Sequence, residues 1–378
     1  MKFFRRLLLS LSGCLIFLIL DALTVSLPSL ASEKLIVRYG LFEQSLPIAD
    51  IRKYAENQQV SSDLQSFLRY LSPEQQQQLQ AALQIKMSLD ISAVDKLADT
   101  IVGKQILYFA SQAIDRRDQA GVSALRSAII LGAKSPEGLG VVSFLEAYPS
   151  SRLVVDLPKA FKLVSMSNLF SSDSNEKPKD NLDSSVLSKL AFQYQIFATQ
   201  GKQYSGCLFG DSISAGLGNT LGNQNFNFGF NGLSSISLIP QLQSLNDNKV
   251  KCQKAIIAIG ANDALYGIND ELFSKNLQEA IALVRKLESQ EVFLIPAFYS
   301  TVAASSNPNL AAPLSKVEQI NALITQVAAR EKVSVVEAGV APLYENKVLK
   351  QNLTTDGVHL NAEGLKIYQG ALLQILGK

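Results

Sequence analysis

Two stretches of the chain bring together the residue types used in acyl-transfer chemistry. The first is GDSISAGLG, Gly210 to Gly218, which follows the apolar residues Cys207, Leu208 and Phe209. What looks like a buried strand there ends on a glycine and gives way to an acid and a hydroxyl. Taken alone it reads most simply as a turn, because Gly, Asp and Ser are common turn formers. The alternative is a presented nucleophile, Ser212, at the mouth of a parallel sheet. The second stretch is DGVHLNAEG, which holds the single histidine of the chain, His359. A lone His is ordinarily a surface or satisfied core residue, but Asp356 precedes this one by three, a spacing that puts both side chains on one face of a helical turn. A carboxylate so placed holds the imidazole tautomer and stabilises the imidazolium. A Ser hydroxyl is a poor nucleophile without such a base, and His359 is the only imidazole in the chain.

Acyl transfer also needs donors where the oxyanion develops. NFGFNGLSS, Asn227 to Ser235, places Gly232 where a backbone N–H can approach a ligand unobstructed by a side chain. GAND, Gly260 to Asp263, places the amide of Asn262 just past another apolar run. Singly, each also reads as an ordinary turn. Asp211 and Asp263 read as turn or cap residues. GLGNTLG, Gly216 to Gly222, starts too late after its strand for a dinucleotide loop and lacks the paired acid. With one His and no cysteine cluster, neither a metal site nor any other cofactor is expected.

These residues need a frame to position them. In the C-terminal half, short apolar runs at Gly206 to Phe209, Ala255 to Ile259, Val292 to Ile295 and Val333 to Val336 alternate with helical patterns at Glu271 to Ser289, Ser315 to Arg330 and Ala362 to Leu376. Such alternation implies a parallel sheet covered on both faces, with ligands at the carboxyl ends of its strands. Gly210 and Gly260 fall at those ends. From about Ser32 to Ser167 the pattern is helical, with periodic segments around Ile48 to Asn57, Ser62 to Leu71, Val94 to Gly103 and Ala124 to Ala133. Ser72, Pro73 and Gln75 open a further helix, as cap, first helical residue and third residue after the cap. The polar stretch Ser171 to Ser185 reads as a linker, with a loop packed on a domain surface as the alternative.

From about Lys202 to Lys378 the chain resembles the SGNH, or GDSL-type, esterase and lipase family. GDSIS, the Gly of the second block, GAND and DGVH occur in that family's order. The resemblance implies a flavodoxin-like three-layer α/β/α domain. Ser212 would be its nucleophile, His359 its base and Asp356 the orienting acid. The Ser212 and Gly232 N–H groups with the Asn262 side chain would form the oxyanion hole. GDSISAGLG and GANDALYG look closest to the periplasmic thioesterase, lysophospholipase and arylesterase branch. Ile213 stands where that family commonly has Leu, and Asn231 precedes Gly232 where Ser or Ala is frequent. The segments YGLFEQSLPIADIRKYAENQ, LSPEQQQQLQAAL and ALRSAIILGA resemble a helical domain of unknown function found ahead of hydrolases in cyanobacteria. Its usual α/β-hydrolase partner is absent here: no G-x-S-x-G elbow occurs and the acid sits three residues before the His.

Lys2, Arg5 and Arg6 precede the apolar run Leu7 to Leu20, and SLAS at Ser29 to Ser32 offers a cleavage site after Ala31, which reads as an export signal. An uncleaved anchor and a lipoprotein acylated at Cys14 are the other readings. The expected organisation is therefore 1–31 signal, 32–168 helical domain, 169–200 linker and 201–378 hydrolase domain. The expected place is periplasmic or secreted, with the membrane or cell envelope as a partner through the N-terminal segment. With 47% apolar and 18% charged residues the chain can bury a sizeable core, and a net charge of +2 gives no field toward nucleic acid. If Gly210 and Gly260 end neighbouring strands at the same level, Cys207 and Cys252 are offset by five residues, roughly 16 Å at strand rise, so two free buried thiols are expected. The expected activity is hydrolysis of small-molecule, lipid or glycan esters or thioesters. An acyltransferase or O-deacetylase with the same triad, and an idle envelope-binding protein, are the alternatives. Acyl-chain length is expected to be set by loops after Gly232 and near Pro296 to Pro313.

Overall fold

The computed structural model describes residues 32–40, 42–116, 120–159, 178–180, 182–183 and 185–377. The expected export signal, Cys14 and most of the expected linker lie outside them. The described residues fall into two units, 32–87 with 106–159, and 88–105 with 178–377.

The first unit is built mainly of helices. They include α1 (Ile48–Asn57), α2 (Ser62–Leu68) and α3 (Pro73–Gln84). Helix α4 (Ile91–Asp99) belongs to the second unit and α5 (Ile101–Gln112) runs from it into the first, which is completed by α6 (Gly121–Ala133) and α7 (Val141–Ala147). The single helix expected around Val94 to Gly103 is thus two, parted at Thr100, whose backbone is extended. The helical pattern also hid a small sheet, in which β1 (Lys34–Tyr39) pairs antiparallel with β2 (Phe42–Pro47) and parallel with β3 (Arg152–Asp156). Its strands are five or six residues long with apolar runs of at most three, so periodicity alone does not reveal them.

The second unit is a three-layer α/β/α domain. Its five parallel strands are β4 (Gln203–Gly210), β5 (Asn225–Asn227), β6 (Lys251–Ala258), β7 (Glu291–Leu294) and β8 (Ser334–Val335), in the order β5-β4-β6-β7-β8. Counted along the chain this is 2-1-3-4-5, the flavodoxin-like order, with its switch point between β4 and β6. Side chains alternate between the faces. Phe209 and Ile257 enter one core, with Leu242 of α10 (Ser235–Asp247), Ile281 of α12 (Asp270–Lys286) and Ile320 of α14 (Leu314–Glu331). Leu208 and Ile256 enter the other, with Tyr368 and Leu372 of α15 (Ala362–Leu376). At the end of the span expected as a linker, Val186–Thr199 form helix α8, capped by Ser185, with Phe192 and Ile196 packed on the first of these cores. Helix α4 packs on α8 within this unit, and the Asp90 N–H donates to the Tyr194 hydroxyl at 2.9 Å.

The two thiols expected to be free are joined. Cys207 and Cys252 form a disulfide with Cα atoms 5.8 Å apart. Two features of the ladder bring them together. Gly210 aligns with Ala258 and not with Gly260, which shortens the offset from five residues to three. Alternation also slips inside both strands. Tyr204 packs against the same core as Cys207, and Cys252 lies in that core with Ala255, although each pair is three residues apart. Both sulfurs therefore face one layer, where both cysteines are fully buried.

Candidate active site

Strand β4 ends on a glycine whose surroundings leave no room for a side chain. A Cβ on Gly210 would run into the Ser214 side chain, with Ser214 Cβ at 2.6 Å. Asp211 then caps the short helix α9 (Ser212–Ala215), its Oδ1 accepting the Ile213 N–H at 3.0 Å. Ser212 is thereby the first residue of a helix, where a backbone N–H has no intrahelical acceptor. Two residues on, the Ser214 hydroxyl and the Tyr368 phenol are bonded at 2.9 Å, which ties α9 to α15.

His359 reaches Ser212 from the far end of the chain, with its Nε2 3.0 Å from the Ser212 Oγ. On the other side of the ring, Nδ1 lies 2.7 Å from the Asp356 Oδ2. The Asp356 Oδ1 accepts the backbone N–H groups of Val358 and His359 at 2.9 and 2.8 Å. The i,i+3 pair was expected on a helical turn, yet the segment is a tight loop. Thr354 and Leu360 form an antiparallel bridge, and Gly357 sits between them at φ 90°. The loop is braced by the Thr354 hydroxyl, which donates to the His359 carbonyl at 2.7 Å, and by the Thr301 N–H, which donates to the Gly357 carbonyl at 2.8 Å. Partial burial raises the Asp356 pKa, but the hydrogen bonds from the His359 side chain and the backbone outweigh it, leaving the group below its ordinary value. The array Asp356, His359, Ser212 can therefore carry a hydroxyl proton onto the imidazole and stabilise the cation that results.

The two expected donor loops reach the same strand ends. After β5 the chain continues to bond to β4, Phe228 N–H to the Leu208 carbonyl at 2.7 Å and Phe230 N–H to the Gly210 carbonyl at 2.8 Å. Asn231 and Gly232 consequently lie just beyond the end of β4. Gly232 has φ 80°, a left-handed conformation that suits glycine, and its carbonyl accepts the Tyr266 hydroxyl at 3.1 Å. Past β6, Gly260 has φ 125° and opens α11 (Ala261–Tyr266); a Cβ there would lie 2.8 Å from Ile320 Cγ2 and 2.9 Å from Ala297 Cβ. The Asn262 side chain, half-buried, donates to the Leu233 carbonyl at 3.0 Å, leaving its second N–H for another acceptor. The second and third blocks are thus pinned to each other through Asn262 and Tyr266. Tyr266 was not singled out in the sequence, although it lies four residues after Asn262, a spacing that puts both on one helix face.

Two buried acids support the loops. Asp211 is pushed up to about 6 by burial, against the N–H bonds it accepts and the nearby His359. Asp263, fully buried, accepts the Ser235 N–H at 2.9 Å at the start of α10, and burial likewise pushes it up to about 6. Both serve as cap or brace residues, as their positions suggest. Among the described residues, no group of three or more His, Cys, Asp and Glu is placed to hold a metal.

Residues 208–367 match the family described as GDSL-like Lipase/Acylhydrolase, and residues 31–156 match one described as Alpha/beta hydrolase of unknown function (DUF1400). Among solved structures, a GDSL-like lipase from Bacteroides thetaiotaomicron is 21% identical, with 47% of this chain and 88% of that chain covered at a TM-score of 0.40. A lipase/acylhydrolase from Enterococcus faecalis is 19% identical over 46% of this chain and 96% of that chain, at a TM-score of 0.35. No curated protein matches the chain.

Proposed function

Since residues 208–367 are a GDSL-like lipase/acylhydrolase domain and the chain is a hydrolase, we propose that it is an exported serine esterase that cleaves carboxylic esters or thioesters through Ser212, His359 and Asp356. The observation that carries this is the 3.0 Å contact between the Ser212 hydroxyl and the sole imidazole, whose other nitrogen is held by Asp356. Ser212 Oγ attacks the acyl carbon while its proton moves to His359 Nε2. The carbonyl π pair moves onto oxygen, where the Ser212 and Gly232 N–H groups and the free Asn262 N–H receive it. Collapse breaks the bond to the alkoxide or thiolate, which takes the proton from His359. Water then attacks the acyl-serine and gives a proton to His359, which returns it to Ser212 Oγ as the carboxylic acid leaves. Each oxyanion donor is worth about 2.7–4 kcal/mol of barrier in such sites.

Export to the periplasm or beyond is supported by the Lys/Arg-led apolar N-terminus and by the Cys207–Cys252 disulfide, a bond that persists in oxidising compartments. The test of the activity is ester turnover and fluorophosphonate labelling of the wild-type chain beside Ser212→Ala. Turnover that falls by several orders of magnitude, with loss of the label, is the expected result. Equal turnover by the two proteins refutes the proposal.

A further inference from the structure

A small, partly open cavity of about 30 Å³ lies beside the site. Its walls include Ile213, the chain neighbour of Ser212; Asn262 itself; and Val358, the chain neighbour of His359. The remaining walls are mainly apolar, with Leu265, Phe298, Leu310 and Val317 the largest aliphatic and phenyl groups among them. The segment expected to shape the acyl site, Pro296 to Pro313, which carries the short helix α13 (Val302–Ser305), supplies several of these residues.

Position decides which part of an ester such a cavity receives. In the esterase mechanism, the carbonyl carbon sits on Ser212 Oγ and its oxygen near Asn262, while the leaving group faces His359 Nε2 to take its proton. The third substituent of that carbon is the acyl chain, and it must depart on the side of Ile213 and Asn262. Asn262 lines the cavity while Ser212, His359 and Asp356 do not, which sets it beside the oxyanion donor. By the same measure of volume one water-sized group needs about 10–15 Å³, and the space therefore takes about two such groups beyond the carbonyl. The walls resist enlargement. Val317 is 2% exposed within α14 and Phe298 5% exposed, its ring 5.0 Å from that of Tyr368.

Resting on the esterase reading, we infer that this cavity is the acyl pocket and limits the enzyme to short acyl groups, acetyl and propionyl, with Leu265 and Leu310 as specificity-determining walls. The experiment is a series of p-nitrophenyl esters from acetate to octanoate, which share one leaving group so that kcat/KM reports the acyl chain alone. In the wild-type protein kcat/KM is highest for acetate or propionate and falls at least about tenfold by octanoate, since one methylene in an apolar pocket discriminates about 10–200-fold. Leu265→Ala and Leu310→Ala, both half-buried positions, are expected to raise the octanoate-to-acetate ratio at least about tenfold. Octanoate turnover equal to or above acetate in the wild-type protein overturns the inference, and so does an unchanged ratio in both variants when they are folded. Fluorophosphonate labelling of Ser212 in the same samples separates two failures. Labelled protein that favours long chains sinks the pocket assignment alone; unlabelled protein that turns over no ester sinks the esterase reading and the pocket with it.

Discussion

At the scale of single residues, the proposed chemistry converges on one hydroxyl and the groups set around it. Asn262 braces the second block through the Leu233 carbonyl and offers its second N–H to the substrate oxygen as charge develops there, so Asn262→Ala is expected to lower kcat by about 10²–10³-fold, measured by steady-state ester hydrolysis. The buried acids make a separate prediction about stability. In the unfolded chain Asp263 ionises near its ordinary 3.8, and in the folded one near 6. Between those values the folded state binds more protons, so this residue's contribution to stability falls as pH rises through the window. Urea midpoints at pH 5 and pH 7 should show the wild-type protein losing about 1 kcal/mol more over that interval than Asp263→Asn. Asp356, held below its ordinary value, acts in the opposite sense: its contribution is lost as pH falls through the lowered pKa.

At the scale of elements, the strand β4 to helix α9 corner carries the site, and glycine at its apex is required by the Ser214 side chain packed against it. Gly210→Ala is expected to lower both the melting temperature and kcat/KM, the latter by about 10²-fold, since displacement of a reacting group by about 1 Å costs that much. Cys252→Ala opens the bond between β4 and β6 and is expected to cost about 2–4 kcal/mol in a denaturant titration. Much of this level was legible beforehand. The four apolar runs of the C-terminal half became strands within a few residues, because each is bounded by Gly, Pro or charge, and Ala362–Leu376 is a helix with those same limits. The elements that stayed hidden did so for identifiable reasons. Strand β5 is three residues of Asn-Phe-Asn, too short and polar for a periodic signal. Helix α10 carries an internal Pro240, which argues against a helix locally, and only packing of Leu238, Leu242 and Leu245 in the core overrides it. The disulfide depended on register and on a slip in alternation, and neither is written in residue types. The candidate site was legible in its members, since the sole His and the ordered Gly, Ser and Asn positions name themselves; the pins Tyr266 and Asp263 acquire their partners only through folding.

At the scale of the whole molecule, residues 88–105 group with the C-terminal unit although about 70 residues of helical unit and linker separate them in sequence from its first described residue. Asp90 bonds both Tyr194 and Lys202 there. A fragment beginning at Lys179 lacks α4 and these contacts, and it is expected to unfold at a lower temperature than the full chain in a calorimetric scan. The proposed function rests most heavily on Ser212 as the residue that takes the acyl group. Its most direct test is peptide mass mapping of the full chain after fluorophosphonate treatment, beside residual p-nitrophenyl acetate turnover. One adduct is expected, on the peptide holding Ser212, with turnover extinguished in proportion to labelling; an adduct elsewhere, or full turnover by protein completely modified at Ser212, contradicts the assignment.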